Sequence, residues 1–328
     1  MKKESFFKRN SKDTSTYTVA FYNLENLFDT KDDKRTLDDD FLPNSEKKWT
    51  PKKYESKLFK LGKAISNVGF DKTRRPPSII GLAEVENKNV VTDLIESKHL
   101  KNKNYGVVHY DSPDERGIDT ALIYQKDTFE VKDTKTIPLL LFNEFGERDY
   151  TRDVLHVTGE LNKERIHVLV NHWPSRRSGA NETSDKRIAA AQNVKQVVEG
   201  IQNQEEDPGI LIMGDFNDDP HSESIKNHLL TSTLINPMEQ LMGQDRGSLN
   251  YRKQWNLFDQ IILSHNFLKM ERGTHHFAHA DIFDERFLAE WKGSYKGNPF
   301  RTYVGKKYLG GYSDHFPVYV QLKYTRAD

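Results

Sequence analysis

Acidic, amide and imidazole side chains stand at the ends of the short, strand-like apolar runs of this sequence. The run TVAFY is followed by Asn23 and Glu25, and the run ILIM by Gly214 and Asp215. The full set after such runs is Asn23, Glu25, Glu84, Asn171, His172, Asp215 and Asn217, and the set directly before the last runs is Asp259, Asp314 and His315. If the last strands run antiparallel to the earlier ones, both sets share one sheet edge. The sequence therefore predicts that these side chains converge on a single cleft.

These residue types suit the attack of water on a phosphoester. Glu84, helped by Glu25, offers the carboxylate oxygens that Mg²⁺ or Mn²⁺ prefers. The water would lose its proton either to His315, polarised by Asp259, or to Asp215 itself. A single Asp or Asn after a strand is more often a turn residue. The prediction therefore depends on the whole set rather than on any one member.

Further polar residues next to this set suit contact with phosphate. The amide of Asn171 and the imidazole of His172 can bind phosphoryl oxygens without neutralising a metal, and His172 can donate to the oxygen that gains charge. Arg116 and Asp119 come from a turn-rich segment just before a strand, which would place a guanidinium at the rim of the cleft. A surface salt bridge is an equally good interpretation of Arg116.

The segment after His172 combines an aromatic ring with two cations. Trp173, Arg176 and Arg177 suit contact with the backbone and the bases or sugars of a nucleic acid, and Arg176 is the better candidate. A second group resembles a metal cluster but lies in a polar stretch without partner acids, and we interpret it as a surface loop. It consists of His275, His276 and His279.

Composition excludes several classes of protein. Lys+Arg and Asp+Glu both number 49, so no overall charge attracts a polyanion. Cysteine is absent, which excludes disulfides, zinc–thiolate centres and cysteine nucleophiles. No run approaches the roughly 18 apolar residues of a membrane span, and the N-terminus lacks an apolar signal core. We expect a cytoplasmic monomer with no membrane contact and no stable protein partner, or a secreted or periplasmic protein if a signal peptide was removed.

The apolar runs and two amphipathic patterns predict a strand-rich α/β protein. Strands are predicted at 18–22, 78–83, 105–109, 120–124, 155–161, 166–170, 210–213, 260–263 and 317–322. Apolar residues at helical spacing predict helices over 54–68 and 188–201, the second capped by Ser184 or Asp185. Residues 30–51 read as a long surface loop. We expect one domain over 18–328, preceded by an extension of residues 1–17.

As an ordered set, these motifs resemble the endonuclease/exonuclease/phosphatase superfamily, which includes deoxyribonuclease I. The resemblance rests on FYNLENLFDT, EVEN, RGIDTALIY, NHWPSR, MGDFND and GGYSDHFPV, and runs from about Thr18 to the C-terminus. It is nearest to a bacterial branch whose members are named endonucleases by inference. The resemblance implies a four-layer αββα sandwich of two mixed, mainly antiparallel sheets, with a Mg²⁺-dependent site.

The resemblance also implies a role for each motif residue. Glu84 would be the principal metal ligand, with Glu25 and Asn23 completing the metal and phosphate site. Asp215 and Asn217 would handle the nucleophilic water and the phosphate. His172 and His315 would be the phosphate-facing histidines. Asp259 would lie behind one of them, and Asp314 would lie near the metal.

Three hypotheses about function remain open at this stage. The first is a metal-dependent nuclease that cleaves DNA or RNA, and the second is a phosphatase or phosphodiesterase acting on a small or lipid-linked phosphoester. The third is an inactive binding module, which the complete set of site residues disfavours. Local cations modestly favour a polyanion: Lys47, Lys48, Lys52, Lys53, Lys57, Arg176 and Arg177. The 30–51 loop could equally restrict the cleft to a small ligand.

Overall fold

Two six-stranded sheets form the centre of the structure, a computed structural model that describes residues 14–143, 145–176 and 179–327. Strands are numbered along the chain. The first sheet contains β1 (Thr14–Leu27), β2 (Ile79–Val85), β3 (Tyr105–His109), β4 (Asp119–Gln125), β15 (His275–Ile282) and β18 (Val318–Thr325). The second contains β5 (Phe129–Ile137), β8 (Val154–Leu161), β9 (Glu164–His172), β10 (Gly209–Asp215), β11 (Leu234–Ile235) and β14 (Asp259–Ser264). The spatial orders are β15-β18-β1-β2-β4-β3 and β11-β14-β10-β9-β8-β5.

Short ribbons and helices complete the chain. The ribbons are β6 (Leu141–Phe142) with β7 (Arg148–Asp149), β12 (Leu249–Tyr251) with β13 (Gln254–Asn256), and β16 (Tyr303–Val304) with β17 (Lys307–Tyr308). The α-helices are α1 (Pro51–Asn67), α2 (Phe70–Thr73), α3 (Lys88–Ile95) and α4 (Ser184–Gln202). A π-helical segment spans Ser224–Leu229, and 3₁₀ turns occur at Asp39–Phe41, Pro237–Leu241, His265–Leu268 and Arg286–Leu288. No helix in the described part of the chain is long and apolar enough to cross a membrane.

The predicted four-layer αββα sandwich is confirmed. The inner faces of the sheets pack together in one large core, to which α1 and α3 add Leu58, Leu61 and Val90. A second core lies on the outer face of the second sheet, where α4 buries Ala191 and Val194. Burial of these apolar stripes, as the helical spacing predicts, is the main driving force for docking the helices.

The register of the strands brings the predicted ends together. β10 runs parallel to β9 and antiparallel to β14, which sets Asp215 opposite both His172 and Asp259. In the first sheet, β1 is parallel to β2 and antiparallel to β18, so the end of β1 lies beside the start of β18. Early strand ends and late strand starts therefore meet at the same edge within each sheet, so the predicted single edge is in fact two edges, one in each sheet.

Two edge strands of the structure were not predicted from the sequence. His275, His276 and His279 do not lie in a surface loop: they belong to β15, which pairs with β18 at the edge of the first sheet. The ring of His275 is fully buried and hydrogen-bonds Glu164. β5, at the edge of the second sheet, also has no predicted counterpart, and all of its residues except Phe129 are exposed or half-exposed. Neither strand shows an apolar alternation, because an edge strand needs little of its surface to be buried.

Smaller differences concern boundaries and caps. The N-cap residue of α4 is Thr183, and neither Ser184 nor Asp185 caps it. The 30–51 segment is irregular apart from its single 3₁₀ turn, but it buries Asp38 and Trp49 rather than lying wholly on the surface. β1 begins at Thr14, so the last four residues of the predicted 1–17 extension belong to a strand, and residues 1–13 lie outside the described residues.

Candidate active site

The ends of β1 and β2 leave regular strand geometry at the site. The register of this pair shifts between Asn23 and Leu27, and the β2–β4 register shifts between Ala83 and Val85. Within these bulges Glu25 and Glu84 adopt positive φ angles of 52° and 61°. Bulges re-aim side chains at the ends of strands. These two carboxylates therefore point into the site instead of following the alternation of their strands.

Asp215 lies at the centre of the site and is held on three sides. Its Oδ2 accepts a hydrogen bond of 3.0 Å from the Asn23 amide and lies 3.7 Å from Nε2 of His172, while its Oδ1 accepts the backbone N–H of Asn217 at 3.0 Å. Burial raises the pKa of Asp215 to about 6, although the charge of His315 and these hydrogen bonds oppose the rise. A buried carboxylate with such a pKa is suited to accept a proton near neutral pH.

Next to Asp215 lies a buried pair of Asp259 and His315. Asp259 Oδ2 is 2.6 Å from Nδ1 of His315, and Asp259 has no exposed surface. The Ser313 hydroxyl accepts the backbone N–H of His315 and donates to the carbonyl oxygen of Asn23, which fixes the loop before β18 onto β1. Burial alone would lower the pKa of His315, but the charge and hydrogen bond of Asp259 raise that pKa well above its usual value. Asp259 therefore favours the cationic form of His315.

Glu84 faces the same space from the opposite sheet. Its Oε2 accepts the backbone N–H of Asn26, whereas its Oε1 lies 4.0 Å from Nε2 of His172 and 3.9 Å from the Arg116 guanidinium. Arg116 in turn donates to the Asn26 side chain at 2.8 Å. The structure thus places Arg116 in the site, as the rim interpretation predicted, rather than in a remote surface salt bridge.

Glu25 is enclosed by donors from its own chain. Its two carboxylate oxygens accept the backbone N–H groups of Thr302 and Tyr303 at 2.6 and 3.3 Å, and Lys57 and Arg301 lie 3.9 and 3.6 Å away. Burial, with the charge of Asp314, raises the pKa of the Glu25 carboxyl. The arrangement makes Glu25 the anchor of the 301–303 segment rather than an open metal ligand.

Two cations of the site, Lys57 and Arg301, were not predicted as site residues. Lys57 is 2% exposed and bonds the Glu25 carbonyl oxygen and the Thr302 hydroxyl, so it is not part of a surface lysine cluster. Its place on the apolar stripe of α1, four residues before Leu61, was a usable signal. Arg301 donates to Asp314 at 2.7 Å. It lies in an irregular loop, where no periodicity could have identified it.

Comparison with known proteins identifies the family. The sequence profile of the Endonuclease/Exonuclease/phosphatase family matches residues 18–324, almost the whole chain. The chain belongs to this family. The protein is accordingly a phosphoester hydrolase, and the predicted resemblance is confirmed. No curated protein matches the chain in sequence.

Solved structures similar to this family member share its fold over nearly their full length. TDP2 of D. rerio in complex with a single-strand DNA product aligns with a TM-score of 0.57 at 14% identity, covering 94% of this chain and 99% of that one. The human nocturnin catalytic domain aligns with a TM-score of 0.55 at 15% identity, covering 94% of each chain. The mannosyl-6-phosphatase of Bacteroides thetaiotaomicron aligns with a TM-score of 0.56 at 16% identity, covering 93% of this chain and 99% of that one.

Two residues near the end of β9 point away from the expected ligand. Trp173, predicted to contact bases or sugars, is 1% exposed and packs edge-on against Phe216 in the second core. The buried Asn171 amide donates to the carbonyl oxygens of Leu169 and Met213 rather than facing phosphate. A Cβ at Gly214 would come within 2.4 Å of the Asn171 carbonyl, so glycine there allows β9 and β10 to approach.

Arg176 is held by protein partners. Its guanidinium donates to the Asn217 carbonyl at 2.7 Å and to Asp218 at 2.6 Å, and it lies over the ring of Phe258. The expectation that Arg176 reaches the flanking phosphates of a polymer is therefore corrected: it braces the loop that carries Asn217. The neighbouring Arg177 lies outside the described residues.

Asp119 and Asn217 also act mainly on the protein. Asp119 is buried and hydrogen-bonds His109 and Ser112, which orders the 111–117 loop that carries Arg116. The Asn217 amide donates to the Trp173 carbonyl at 3.0 Å, and its backbone has a φ of 50°. Both side chains therefore set the geometry of residues that face the cleft.

The donor set fits a divalent cation. Lys57 offsets the charge of Glu25, Arg301 that of Asp314, and His315 that of Asp259. Oε1 of Glu84 lies 4.0 Å and Oδ2 of Asp215 lies 3.7 Å from Nε2 of His172, so both carboxylate oxygens face the same space. A compact group of possible ligand atoms is formed by Asp215, Asp259 and His315. Because Asp259 and His315 already hydrogen-bond each other, we regard Glu84, with Asp215 nearby, as the better place for the cation.

Proposed function

We propose that this family member hydrolyses phosphodiester bonds of nucleic acids with the help of Mg²⁺ or Mn²⁺. The observation that carries the proposal is the position of Asp215 between the Asn23 amide, His172 and the Asp259–His315 pair. A water that attacks phosphorus needs a proton acceptor beside it and donors for the phosphoryl oxygens. Asp215 supplies the proton acceptor, and His172 and His315 supply the donors.

The chain's own groups can be assigned to the steps of hydrolysis. Asp215 accepts the proton of the attacking water as the new O–P bond forms, because its pKa of about 6 leaves it mostly ionised at neutral pH. His315, held charged by Asp259, donates to a phosphoryl oxygen, and His172 donates to another. As the ester P–O bond breaks, the leaving oxygen takes a proton from solvent and departs as a hydroxyl group. A divalent cation at Glu84 would add Lewis-acid polarisation of the phosphoryl group. The choice between His315 and Asp215 as base therefore falls on Asp215.

Support for a nucleic-acid substrate comes from one similar structure, which was solved with a single-strand DNA product. The cations that favoured a polyanionic substrate in the sequence are partly engaged within the protein. Lys57 is buried, Lys47 and Lys53 lie over the rings of Phe41 and Tyr308, and Arg176 is bound internally.

A phosphatase or phosphodiesterase acting on a small phosphoester is the second candidate, and one cavity favours it. A space of about 790 Å³ lies between the 33–37 segment, the start of α3 and the 111–117 loop. Its charged lining consists of Arg35 and of Asp33, Glu86, Asp111, Asp114, Glu115 and Asp119. This acidic cavity would repel a polyanion, whereas carboxylates readily accept hydrogen bonds from the hydroxyl groups of a sugar.

A substrate and metal panel tests the proposal. The purified protein is incubated with single-stranded DNA, single-stranded RNA, plasmid DNA, inositol phosphates and an aryl phosphodiester, each with Mg²⁺, Mn²⁺, Ca²⁺ or EDTA. We expect cleavage of nucleic acid with Mg²⁺ or Mn²⁺ and none with EDTA. Turnover of inositol phosphates alone would favour the second candidate.

Substitution of Glu84 tests the metal position. Glu84→Gln removes one charge with little change of volume, so turnover should fall by at least about 100-fold while the fold is retained. The matched control is Glu96→Gln, which changes an exposed glutamate at the end of α3. Wild-type turnover by Glu84→Gln at saturating Mg²⁺ would contradict the assignment.

A further inference from the structure

Three exposed aromatic rings lie on two loops beside the active site. Tyr251 at the tip of the β12–β13 ribbon is 62% exposed, and Trp291 and Tyr295 on the 283–317 loop are 65% and 66% exposed. Large exposed rings grouped in one region mark contact sites for other molecules. We call the surface formed by Tyr251, Trp255, Trp291, Tyr295 and Phe316 the aromatic surface.

Part of the aromatic surface lines one cavity, and this part borders the catalytic residues. The Asn298 amide donates to the Asn250 side chain at 3.4 Å, which joins the loop to the ribbon. Trp255, Trp291 and Phe316 line a common cavity of about 730 Å³, in which the rings of Trp255 and Phe316 are stacked. Phe316 directly follows His315 in the chain.

Cations accompany the exposed rings. Lys292 lies over the ring of Trp291 at 4.4 Å, and the guanidinium of Arg252 lies over Tyr251 at 5.2 Å. The cavity itself is lined by three basic and three acidic residues, and Arg246 among them is paired with Asp284. With Arg252 and Lys292 added, the surface carries a modest excess of positive charge. This combination of rings and cations suits bases and phosphates together.

We propose that the aromatic surface binds unpaired bases on one side of the scissile phosphate, which makes single-stranded nucleic acid the preferred substrate. The inference rests on the proposed nuclease function and specifies its substrate. Every base has a face that can stack on an aromatic ring, so binding of this kind tolerates any sequence. In a duplex the bases are already stacked on each other, and these rings would find no partner.

The charge of the acidic cavity gives a reason why only one flank of the strand would be bound. The acidic cavity carries six carboxylates and one arginine, and its described lining includes no aromatic ring. A polyanion is repelled there, whereas the aromatic surface attracts both the bases and the phosphates of a nucleic acid. The strand should therefore extend from the scissile phosphate toward Trp291 and Tyr251.

Binding and turnover of Trp291→Ala and Tyr251→Ala test the proposal. The affinity for a fluorescent single-stranded oligonucleotide, measured by anisotropy in EDTA to prevent cleavage, should fall roughly tenfold for each ring removed. Trp291→Phe should retain most of the affinity, because a ring remains. In Mg²⁺, turnover of the oligonucleotide should fall about tenfold more than turnover of the aryl phosphodiester.

A matched control comes from another aromatic–cation pair. Phe59 on α1 is 40% exposed and has Lys98 5.6 Å above its ring, so Phe59→Ala removes the same kind of group from a helix that carries none of the aromatic surface. This control should bind and turn over the oligonucleotide like the wild type. Equal losses in Phe59→Ala and Trp291→Ala, or unchanged binding in both surface variants, would overturn the proposal.

The design separates this inference from the proposed function. If the wild type cleaves nucleic acid but the surface variants bind single strands and duplexes like the wild type, the inference fails alone. If the wild type turns over only inositol phosphates, the nuclease function fails and the inference fails with it. Sedimentation with vesicles of phosphatidylcholine and phosphatidylserine tests a membrane instead. Vesicle binding that Trp291→Ala abolishes, without any change in oligonucleotide affinity, would also overturn the proposal.

Discussion

The buried pair of Glu25 and Lys57 offers a quantitative test of how the site is held together. Glu25 is 6% and Lys57 2% exposed, and Glu25 accepts the backbone N–H groups of Thr302 and Tyr303. Glu25→Gln keeps the size of the side chain but removes its charge, and the Lys57 ammonium would then be buried without a carboxylate partner at 3.9 Å. We therefore expect Glu25→Gln to destabilise the whole protein, in addition to lowering activity.

The size of this effect follows from the burial. Removing one partner of a buried ion pair costs about 3–5 kcal/mol, because the remaining charge is left uncompensated. Unfolding entropy of about 2.1 cal/mol/K per residue, over 328 residues, amounts to about 0.7 kcal/mol/K. The melting temperature should thus fall by about 4–7 °C. Removing both charges in Glu25→Gln/Lys57→Met should recover most of this loss, since no unpaired charge remains.

Differential scanning calorimetry at pH 7.5 in EDTA measures the effect without a contribution from bound metal. The control is Glu46→Gln, which breaks the pair with Lys306 on the surface, where both side chains are about two-thirds exposed. Exposed pairs contribute little, so the control should shift the melting temperature by no more than about 1 °C. A shift for Glu25→Gln no larger than the control's, or no recovery in the double variant, would refute the reasoning.

Two further predictions concern histidines. Asp259→Asn removes the charge that keeps His315 protonated, so kcat should fall about 10²- to 10⁴-fold. The circular dichroism spectrum should not change. A wild-type kcat would contradict the role of the Asp259–His315 pair. Burial, with the charge of His167, lowers the pKa of His156 to about 4, below the roughly 6.5 of an unfolded chain. The unfolded state then binds more protons, so the stability present above pH 6.5 is lost as the pH falls toward 4. Between pH 7.5 and pH 5 the free energy of unfolding should fall by about 2 kcal/mol. Urea unfolding at both pH values should show this slope in the wild type and a smaller one in His156→Gln, and equal slopes would contradict the assignment.

The convergence of Asp215, Asp259 and His315 was predictable because it depends on regular structure. Buried strands carry their own signal in continuous aliphatic runs, and antiparallel pairing dictates that the end of one strand meets the start of the next. The polar residues at those ends then had to lie at the same edge. The strand-rich α/β class and the centre of the site follow from this reasoning, whereas the four-layer sandwich was implied by the resemblance to the family.

Contacts made outside regular elements could not be predicted in this way. Arg301 meets Asp314 and Glu25 only because an irregular loop folds back over the site, and the sequence around it has no period. Trp173 and Arg176 follow a strand end, where the chain turns and the alternation of faces no longer applies. Sequence therefore showed that these residues lie near the site, but not that they face the protein.

Several residues of the candidate active site have a strained backbone. Glu25, Asn26, Glu84 and Asn217 have φ angles of 52°, 54°, 61° and 50°, values that cost a residue other than glycine about 1–3 kcal/mol each. A side chain of the site accepts the backbone N–H of three of them: Asn23 for Glu25, Glu84 for Asn26, and Asp215 for Asn217. The groups that hold the strained backbone are thus the same groups that meet in the candidate active site. Loss of one of them should disturb the position of its neighbours as well as remove its own chemistry, so single substitutions in this cleft are not expected to have additive effects.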